Sequence, residues 1–192
     1  RRAIALMSGG LDSSLAAKVV SDLGVEVIGL HLTSPFACRE NVQSMADKLN
    51  IRLIIREKGE AYLDLLKNPR YGYGKGMNPC IDCRIFMFQL ADVVRQENEA
   101  DFIISGEVIG QRPMSQVRKN IRKIDGDTAA HDRVLRPLSA HSFAPTLPER
   151  EGWVDRNKLH RITGRGRTKQ LALAKEYGIE DFPSPGGGCL LT

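Results

Sequence analysis

A short loop near the start of the chain carries the residues best suited to hold phosphate. It reads S-G-G-L-D-S-S and directly follows the apolar run of residues 2–7. Adjacent glycines let a backbone approach an anion closely, and serine hydroxyls are hydrogen-bond donors. Residues 12–23 have helical spacing, so the free N–H groups of that helix would also face the anion. The loop therefore predicts a nucleotide phosphate site built on Ser8, Gly9, Gly10, Ser13 and Ser14.

Asp12 is the member of the loop that would repel phosphate. A carboxylate is favourable there if it binds Mg²⁺ that bridges to the phosphate groups. The alternative is that Asp12 caps the following helix, which is a common role for aspartate. The loop also lacks the lysine of the G-x-x-x-x-G-K-S/T phosphate loop, which argues against ordinary transfer of a γ-phosphoryl group.

Three of the four cysteines have a spacing that favours metal or sulfur chemistry. Cys80 and Cys83 form a C-x-x-C pair, and Cys189 follows a glycine-rich turn. The pair falls at the start of a predicted helix over residues 81–98, so both thiols can face the same way, and a helix N-terminus favours the thiolate. We expect Cys189 to fold back toward the pair and Cys38 to have no chemical role.

Four interpretations of these cysteines stay open. Three thiolates without a fourth protein ligand suit a [4Fe–4S] cluster with one open iron, bound by Cys80, Cys83 and Cys189. Cys83 and Cys189 could instead be a persulfide-forming nucleophile and its resolving partner. Zinc would need a fourth ligand, such as one of the four histidines. The last alternative is that the thiols are buried and inert.

Strand and helix patterns alternate along the chain. Strands are predicted at 2–7, 25–33, 52–56 and 101–106, and helices at 12–23, 40–49, 81–98, 155–162 and 167–177. Residues 133–138 read as an edge strand or an extended segment, and 68–79, 141–152 and 183–188 as loops or turns. The pattern predicts an α/β fold, a doubly wound parallel sheet with helices on both faces. In such sheets ligands bind where this phosphate loop falls, at the carboxyl ends of the strands.

Length and charge limit the class of protein. The 192 residues predict a single domain over 1–192, and the abrupt end after Cys189 suggests a piece of a longer protein. A net charge of +5 suits a polyanion such as RNA. There is no apolar run of roughly 18 residues and no secretory leader, so we expect a cytoplasmic protein with no membrane partner.

The loop sequence resembles the signature of the PP-loop (N-type) ATP pyrophosphatases, which have the adenine nucleotide alpha hydrolase-like fold. The resemblance implies that ATP and Mg²⁺ bind on the loop and that ATP is cleaved between its α- and β-phosphates, leaving AMP on a carbonyl or carboxylate. It also implies that the end of the second strand, with His31 and Leu32, holds the adenine.

Three segments resemble the tRNA thiolation enzymes of that superfamily. Residues 105–116 and 133–138 are similar to elements of tRNA 4-thiouridine synthetases. Residues 78–84 are similar to a stretch of tRNA 2-thiouridylases, with Cys80 where that family has aspartate, and Cys189 could match their second cysteine. The resemblance places Gly106 and Gln111 near the nucleotide or the target base.

The resemblance thus implies an ATP-dependent tRNA sulfurtransferase that adenylates a uridine carbonyl, releases pyrophosphate and transfers sulfur. Its catalytic residues would be Asp12, Cys83 and Cys189, and its partners tRNA and a sulfur donor, either a protein or sulfide. One alternative is a PP-loop enzyme that amidates a small molecule or forms a nitrile, with zinc on the C-x-x-C pair. Another is an ATP-binding module that senses redox state. The oligomeric state is open, and a homodimer is compatible with the sequence.

Overall fold

Five parallel strands form one sheet in a computed structural model that describes residues 1–36, 42–180, 182–183 and 189–191. The strand order is β3-β2-β1-β4-β5, and every neighbouring pair is parallel. The strands are β1 (Arg2–Leu6), β2 (Glu26–Thr33), β3 (Arg52–Glu57), β4 (Phe102–Ile104) and β5 (Val134–Leu135). The predicted parallel sheet is confirmed.

Helices cover both faces of the sheet. They are α1 (Leu11–Ser21), α2 (Val42–Lys48), α3 (Glu60–Lys67), α4 (Cys80–Glu97), α5 (Arg118–Gly126), α6 (Leu147–Arg150) and α7 (Thr168–Glu176). Successive strand residues point to opposite faces, so β1 buries Ala3 and Ala5 in one core and Ile4 and Leu6 in another. The first core includes α1, α2 and α7, and the second includes α4 and α5. The doubly wound arrangement is therefore confirmed.

The strand order brings several loops to one edge of the sheet. From the central β1 the chain builds outward to β2 and β3, and then returns to place β4 and β5 on the other side of β1. The order reverses between β1 and β4, which is the point where open α/β sheets bind ligands. The segments that follow all five strands meet at this carboxyl edge.

Residues 155–162 do not form the predicted helix. A single 3₁₀ turn, Arg156–Lys158, is started by Asp155, whose side chain accepts a hydrogen bond from the Asn157 N–H. The chain then runs extended, and the N–H of Ile162 donates to Leu138 at 2.8 Å. Pairing with a distant segment thus overrides the local helical spacing.

Other local predictions are refined. The segment read as a loop at 141–152 contains the short α6, whose start has a capping box between Thr146 and Glu149. Helix α3 lies before the predicted loop at 68–79, and α5 lies in a stretch that the pattern did not assign. Cys38, residues 40–41 and the turn at 184–188 lie outside the described residues.

No helix in the part of the chain that the structure describes is both long and apolar enough to cross a membrane.

Candidate functional site

The phosphate loop is closed by its own serines. The hydroxyl of Ser13 donates to the Gly10 carbonyl at 2.8 Å, and that of Ser14 donates to the same oxygen at 3.1 Å. The N–H of Ser8 donates to the Ser13 hydroxyl oxygen at 3.3 Å. Gly9 has a φ of 80°, which other residues rarely adopt. These bonds bend the chain from β1 into α1, so that the N-terminus of α1 lies at the carboxyl edge of the sheet.

Gly106 lies against this loop. A Cβ at that position would be 2.7 Å from the Asp12 carbonyl oxygen and 2.7 Å from the Cα and N atoms of Ser13. Only glycine allows the end of β4 to approach the loop so closely. Gly106 therefore does more than form a turn after β4, because it packs directly against the phosphate loop. Its predicted position beside a nucleotide stays a prediction.

Asp12 has one oxygen held by the protein and one that is not. Oδ2 accepts a hydrogen bond from the Gln111 side-chain amide and lies 3.8 Å from the Arg167 guanidinium. Oδ1 is buried and has no hydrogen-bond partner among the described residues. The residue at the helix N-cap is Gly10, so Asp12 does not cap α1. A buried carboxylate oxygen without a donor fits a role as a ligand for Mg²⁺.

His31 and Leu32 lie at the carboxyl end of β2. The Nδ1 of His31 and the Met7 carbonyl oxygen are 2.9 Å apart, which joins the ends of β2 and β1. Leu32 is buried in the core beneath α4. Both residues therefore have structural contacts, and their predicted contact with adenine is untested.

The C-x-x-C pair occupies the first turn of α4. The side-chain amide of Asn78 donates to the Cys80 sulfur at 3.1 Å. Lys58, directly after β3, donates to the Cys83 sulfur at 3.5 Å, and the Tyr62 hydroxyl is 3.4 Å from the same atom. The two thiols thus lie at the carboxyl edge of the sheet in different polar surroundings.

Cys189 belongs to the same neighbourhood. The backbone N–H of Leu190 donates to Phe36, just beyond β2, at 3.0 Å. Burial, and then Cys83, Cys189 and Cys80, raise the pKa of Tyr62 above its ordinary value. The predicted approach of Cys189 to the pair is consistent with this electrostatic influence on Tyr62.

The thiol of Cys80 does not follow the expectation for a helix N-terminus. Burial raises the pKa of Cys80, and this outweighs the hydrogen bond from Asn78. Within residues 1–36, 42–180, 182–183 and 189–191, no three His, Cys, Asp or Glu side chains are positioned to hold a metal ion. The iron–sulfur and zinc interpretations therefore stay predictions.

A buried ion network was not anticipated from the sequence. Glu107, 2% exposed, pairs with Arg136 at 2.8 Å and with Arg84 at 3.1 Å. Arg136, 5% exposed, also pairs with Asp125 of α5 at 2.7 Å. Burial opposes ionisation of Glu107, but the two guanidinium groups outweigh it and hold the pKa of this carboxyl below its ordinary value. The network joins α4 and α5 to the ends of β4 and β5.

The strand order and the closed serine–glycine loop define a nucleotide-binding α/β domain of the PP-loop type. Residues 1–142 match the family described as thiamine biosynthesis protein (ThiI), and the chain belongs to that family. This match and the relatives described next together confirm the resemblance to the PP-loop pyrophosphatases and the tRNA thiolation enzymes.

Known relatives agree with this assignment. A probable tRNA sulfurtransferase of Methanothermobacter thermautotrophicus is 31% identical over 127 residues, which is 62% of this chain and 32% of the relative. A tRNA-specific 2-thiouridylase of Corynebacterium urealyticum is 34% identical over 100 residues, 43% of this chain and 25% of the relative. A crystal structure of a 4-thiouridine synthetase–RNA complex with bound ATP has a TM-score of 0.66 at 26% identity, covering 92% of this chain and 40% of that one. The chain spans about a third of the length of the curated sulfurtransferases that it matches.

Replacing Gly106 with alanine should disrupt the phosphate loop. The added methyl group would overlap backbone atoms of residues 12 and 13, so we expect the unfolding free energy to fall by about 2 kcal/mol and ATP to bind more weakly. Urea denaturation and calorimetry measure the two effects. Gly126→Ala is the control, because nothing lies within 4 Å of its Cβ position. Equal ATP affinity in the two variants would contradict the expected effect of this close packing on the phosphate loop.

Replacing Glu107 with glutamine should destabilise the fold by about 3 kcal/mol, because the buried Arg136 and the half-buried Arg84 lose the counter-charge that they share. The folded pKa of Glu107 is lowered, so its contribution is complete above the unfolded carboxyl pKa and is lost as pH falls through the folded value. The unfolding free energy of the variant should therefore fall less steeply than that of the unaltered protein as the pH is lowered through this range. Asp64→Asn, which removes an exposed pair with Lys67, is the control and should change stability little.

Proposed function

We propose that this chain is the ATP-binding domain of an ATP-dependent tRNA sulfurtransferase that makes thiouridine. The observation that carries the proposal is that the phosphate loop and the cysteine pair lie at the same carboxyl edge of one sheet. Membership of a family whose relatives include tRNA sulfurtransferases supports it, as does the likeness to a 4-thiouridine synthetase solved with RNA and ATP.

The first chemical step is activation of a uridine carbonyl. The carbonyl oxygen attacks the α-phosphorus of ATP, an O–P bond forms, and the bond to the β-phosphate oxygen breaks to release pyrophosphate. The loop glycines and the start of α1 bind the phosphates. Asp12 would hold Mg²⁺ through its unpaired oxygen, and the ion would neutralise charge on the leaving pyrophosphate. Adenylation converts a poor leaving oxygen into AMP.

The second step is delivery of sulfur by the cysteines. The terminal sulfur of a persulfide on Cys83, loaded by a sulfur donor, attacks the activated carbon and AMP leaves. The Cys189 thiolate then attacks the Cys83 sulfur and breaks the S–S bond. The products are thiouridine and a Cys83–Cys189 disulfide, which an external thiol reduces. Because the described thiols do not form a ready metal site, we derive no step through a cluster.

Helix α5 supplies a surface for RNA. It buries Ile121 and Ile124 and exposes a basic side with Lys119 and Arg122. The acidic residues at its end are engaged elsewhere, since Asp125 pairs with Arg136 and Asp127 with Arg70. The exposed side is therefore positive. Basic side chains of this kind bind the phosphates of nucleic acid.

The two steps should separate by mutation. Asp12→Asn should abolish tRNA-dependent exchange of pyrophosphate into ATP, whereas Cys83→Ser should retain the exchange and lose thiouridine formation. Exchange assays with labelled pyrophosphate and nucleoside analysis of the tRNA measure the two activities. A Cys83→Ser variant that still makes thiouridine would exclude the proposed route of sulfur.

Iron content tests the cluster interpretation. The persulfide route predicts that protein purified without oxygen contains no stoichiometric iron, and that Cys80→Ala and Cys189→Ala do not change this. Iron that is present in the unaltered protein and lost in both variants would establish a cluster in place of the persulfide pair. Metal analysis and the visible absorption spectrum provide the measurement.

Reversing charge on α5 should weaken RNA binding. For Lys119→Glu combined with Arg122→Glu, we expect a lower affinity and a shallower salt dependence, with the slope smaller by about one for each phosphate that the variant no longer binds. Filter binding of tRNA over a range of salt concentrations measures both. Lys175→Glu, an exposed position on α7, makes the same kind of charge change away from α5. A decrease of equal size in that control would contradict a binding surface on α5.

A further inference from the structure

We infer that Gln170 is a positioning residue that fixes the orientation of the Gln111 side chain, and through it the Asp12 carboxylate. The inference deepens the proposed function, because it rests on Mg²⁺–ATP binding at the phosphate loop. It assigns to α7 a part in preparing that site.

Gln170 lies in the first turn of α7 and is completely buried. Its side-chain amide donates to the Gln111 side-chain carbonyl at 2.9 Å. The Gln111 amide in turn donates to Oδ2 of Asp12. Two carboxamides in series thus connect α7 to the phosphate loop.

The series has a direction because its last member is a carboxylate. An ionised carboxylate only accepts hydrogen bonds, whereas a carboxamide has a donor end and an acceptor end. If the Gln111 amide were reversed, its carbonyl oxygen would face Asp12 and repel it. The bond from Gln170 occupies that carbonyl and holds it away from the carboxylate.

This orientation of Gln111 leaves the other oxygen of Asp12, Oδ1, without a hydrogen bond from the described residues. The donors that reach this carboxylate lie on the side of Oδ2, where the Arg167 guanidinium is also 3.8 Å away. Oδ1 is left buried and without a hydrogen-bond partner among the described residues. A carboxylate held by one oxygen presents the second in a fixed position, which is what a metal ion with strict geometry requires.

The backbone around the two glutamines is itself fixed. The hydroxyl of Ser139 accepts from the Ile109 N–H at 3.1 Å and donates to the Ile162 carbonyl at 2.7 Å. The N–H of Gly164 donates to Ile109 at 2.8 Å. The segment leading into α7 is therefore paired with the segment leading to Gln111. This pairing keeps the two side chains in register.

Two substitutions of Gln170 separate orientation from packing. Gln170→Met keeps the length and removes the hydrogen bond. Gln170→Glu keeps the shape but only accepts, so it should draw the Gln111 amide toward itself and turn the Gln111 carbonyl onto Asp12. We expect Mn²⁺, in the presence of ATP, to bind about tenfold more weakly in the methionine variant, which corresponds to the loss of the one hydrogen bond between the two carboxamides. The decrease should be larger in the glutamate variant.

The measurement is Mn²⁺ binding followed by electron paramagnetic resonance, together with the Mg²⁺ dependence of pyrophosphate exchange. We expect a higher Mg²⁺ requirement with little change in the rate at saturating Mg²⁺ for Gln170→Met. The double variant with Gln111→Met should bind Mn²⁺ no more weakly than Gln111→Met alone, since Gln170 acts through Gln111. Ala174→Gly, one turn along α7 and also buried, should lower stability without changing Mn²⁺ affinity.

Several results would overturn the inference. These are unchanged Mn²⁺ affinity in both folded Gln170 variants, additive decreases in the double variant, or a decrease in Ala174→Gly equal to that in Gln170→Met. Should the Gln170 variants not fold, Gln111→Met tests the link from its half-buried end, and unchanged affinity there counts equally against it. Failure of the unaltered protein to bind Mn²⁺ with ATP would instead reject the proposed function itself.

Discussion

The arrangement of the site depends on the ion pairs that the buried carboxylate of Glu107 forms with two arginines. Glu107 lies in the segment just after β4 and binds Arg84 from α4 and Arg136 from the segment after β5. A charge with so little exposure is tolerated only if it is paired, and removing Glu107 would leave the buried Arg136 with Asp125 alone as its counter-charge. Since Glu107 and its two partners come from three distant parts of the chain, the network fixes the carboxyl edge of the sheet as one unit. The first turn of α4, with its two thiols, is held to the strand that contacts the phosphate loop.

The residue before Glu107 has a complementary function. Gly106 allows β4 to approach the backbone of the loop, and Glu107 then anchors the strand end to α4. A side chain at position 106 would displace the loop, and a neutral group at position 107 would remove the ion pair that connects this segment to α4. Adjacent residues thus set the spacing between the phosphate loop and the cysteine pair. The proposed sulfur transfer would depend on this spacing, because the activated carbon must reach the sulfur.

The sequence indicated the parts of this arrangement but not the bonds between them. The sheet and the loop were predictable because apolar periodicity and paired glycines are local signals. Residues 78–84, 105–116 and 133–138 were recognised separately by resemblance, while the ion network that joins them connects residues up to 52 positions apart, for which a single sequence has no signal. The helix predicted at 155–162 failed for the same reason, since that segment pairs with residues 137–139. The link from Gln170 to Asp12 also depends on contacts across the fold.

The two thiols of the C-x-x-C pair also differ in ways that their spacing did not reveal. The Cys80 sulfur accepts a hydrogen bond from the Asn78 amide, and burial raises the pKa of this thiol, which disfavours the thiolate. Cys83 instead has the Lys58 ammonium 3.5 Å from its sulfur and the Tyr62 hydroxyl 3.4 Å from the same atom. The two thiols therefore differ in their polar neighbours, and Cys83, the proposed sulfur carrier, is the one that has a cation beside it. The lysine follows β3 and the cysteine lies in the first turn of α4, so the sheet itself brings the cation to the thiol.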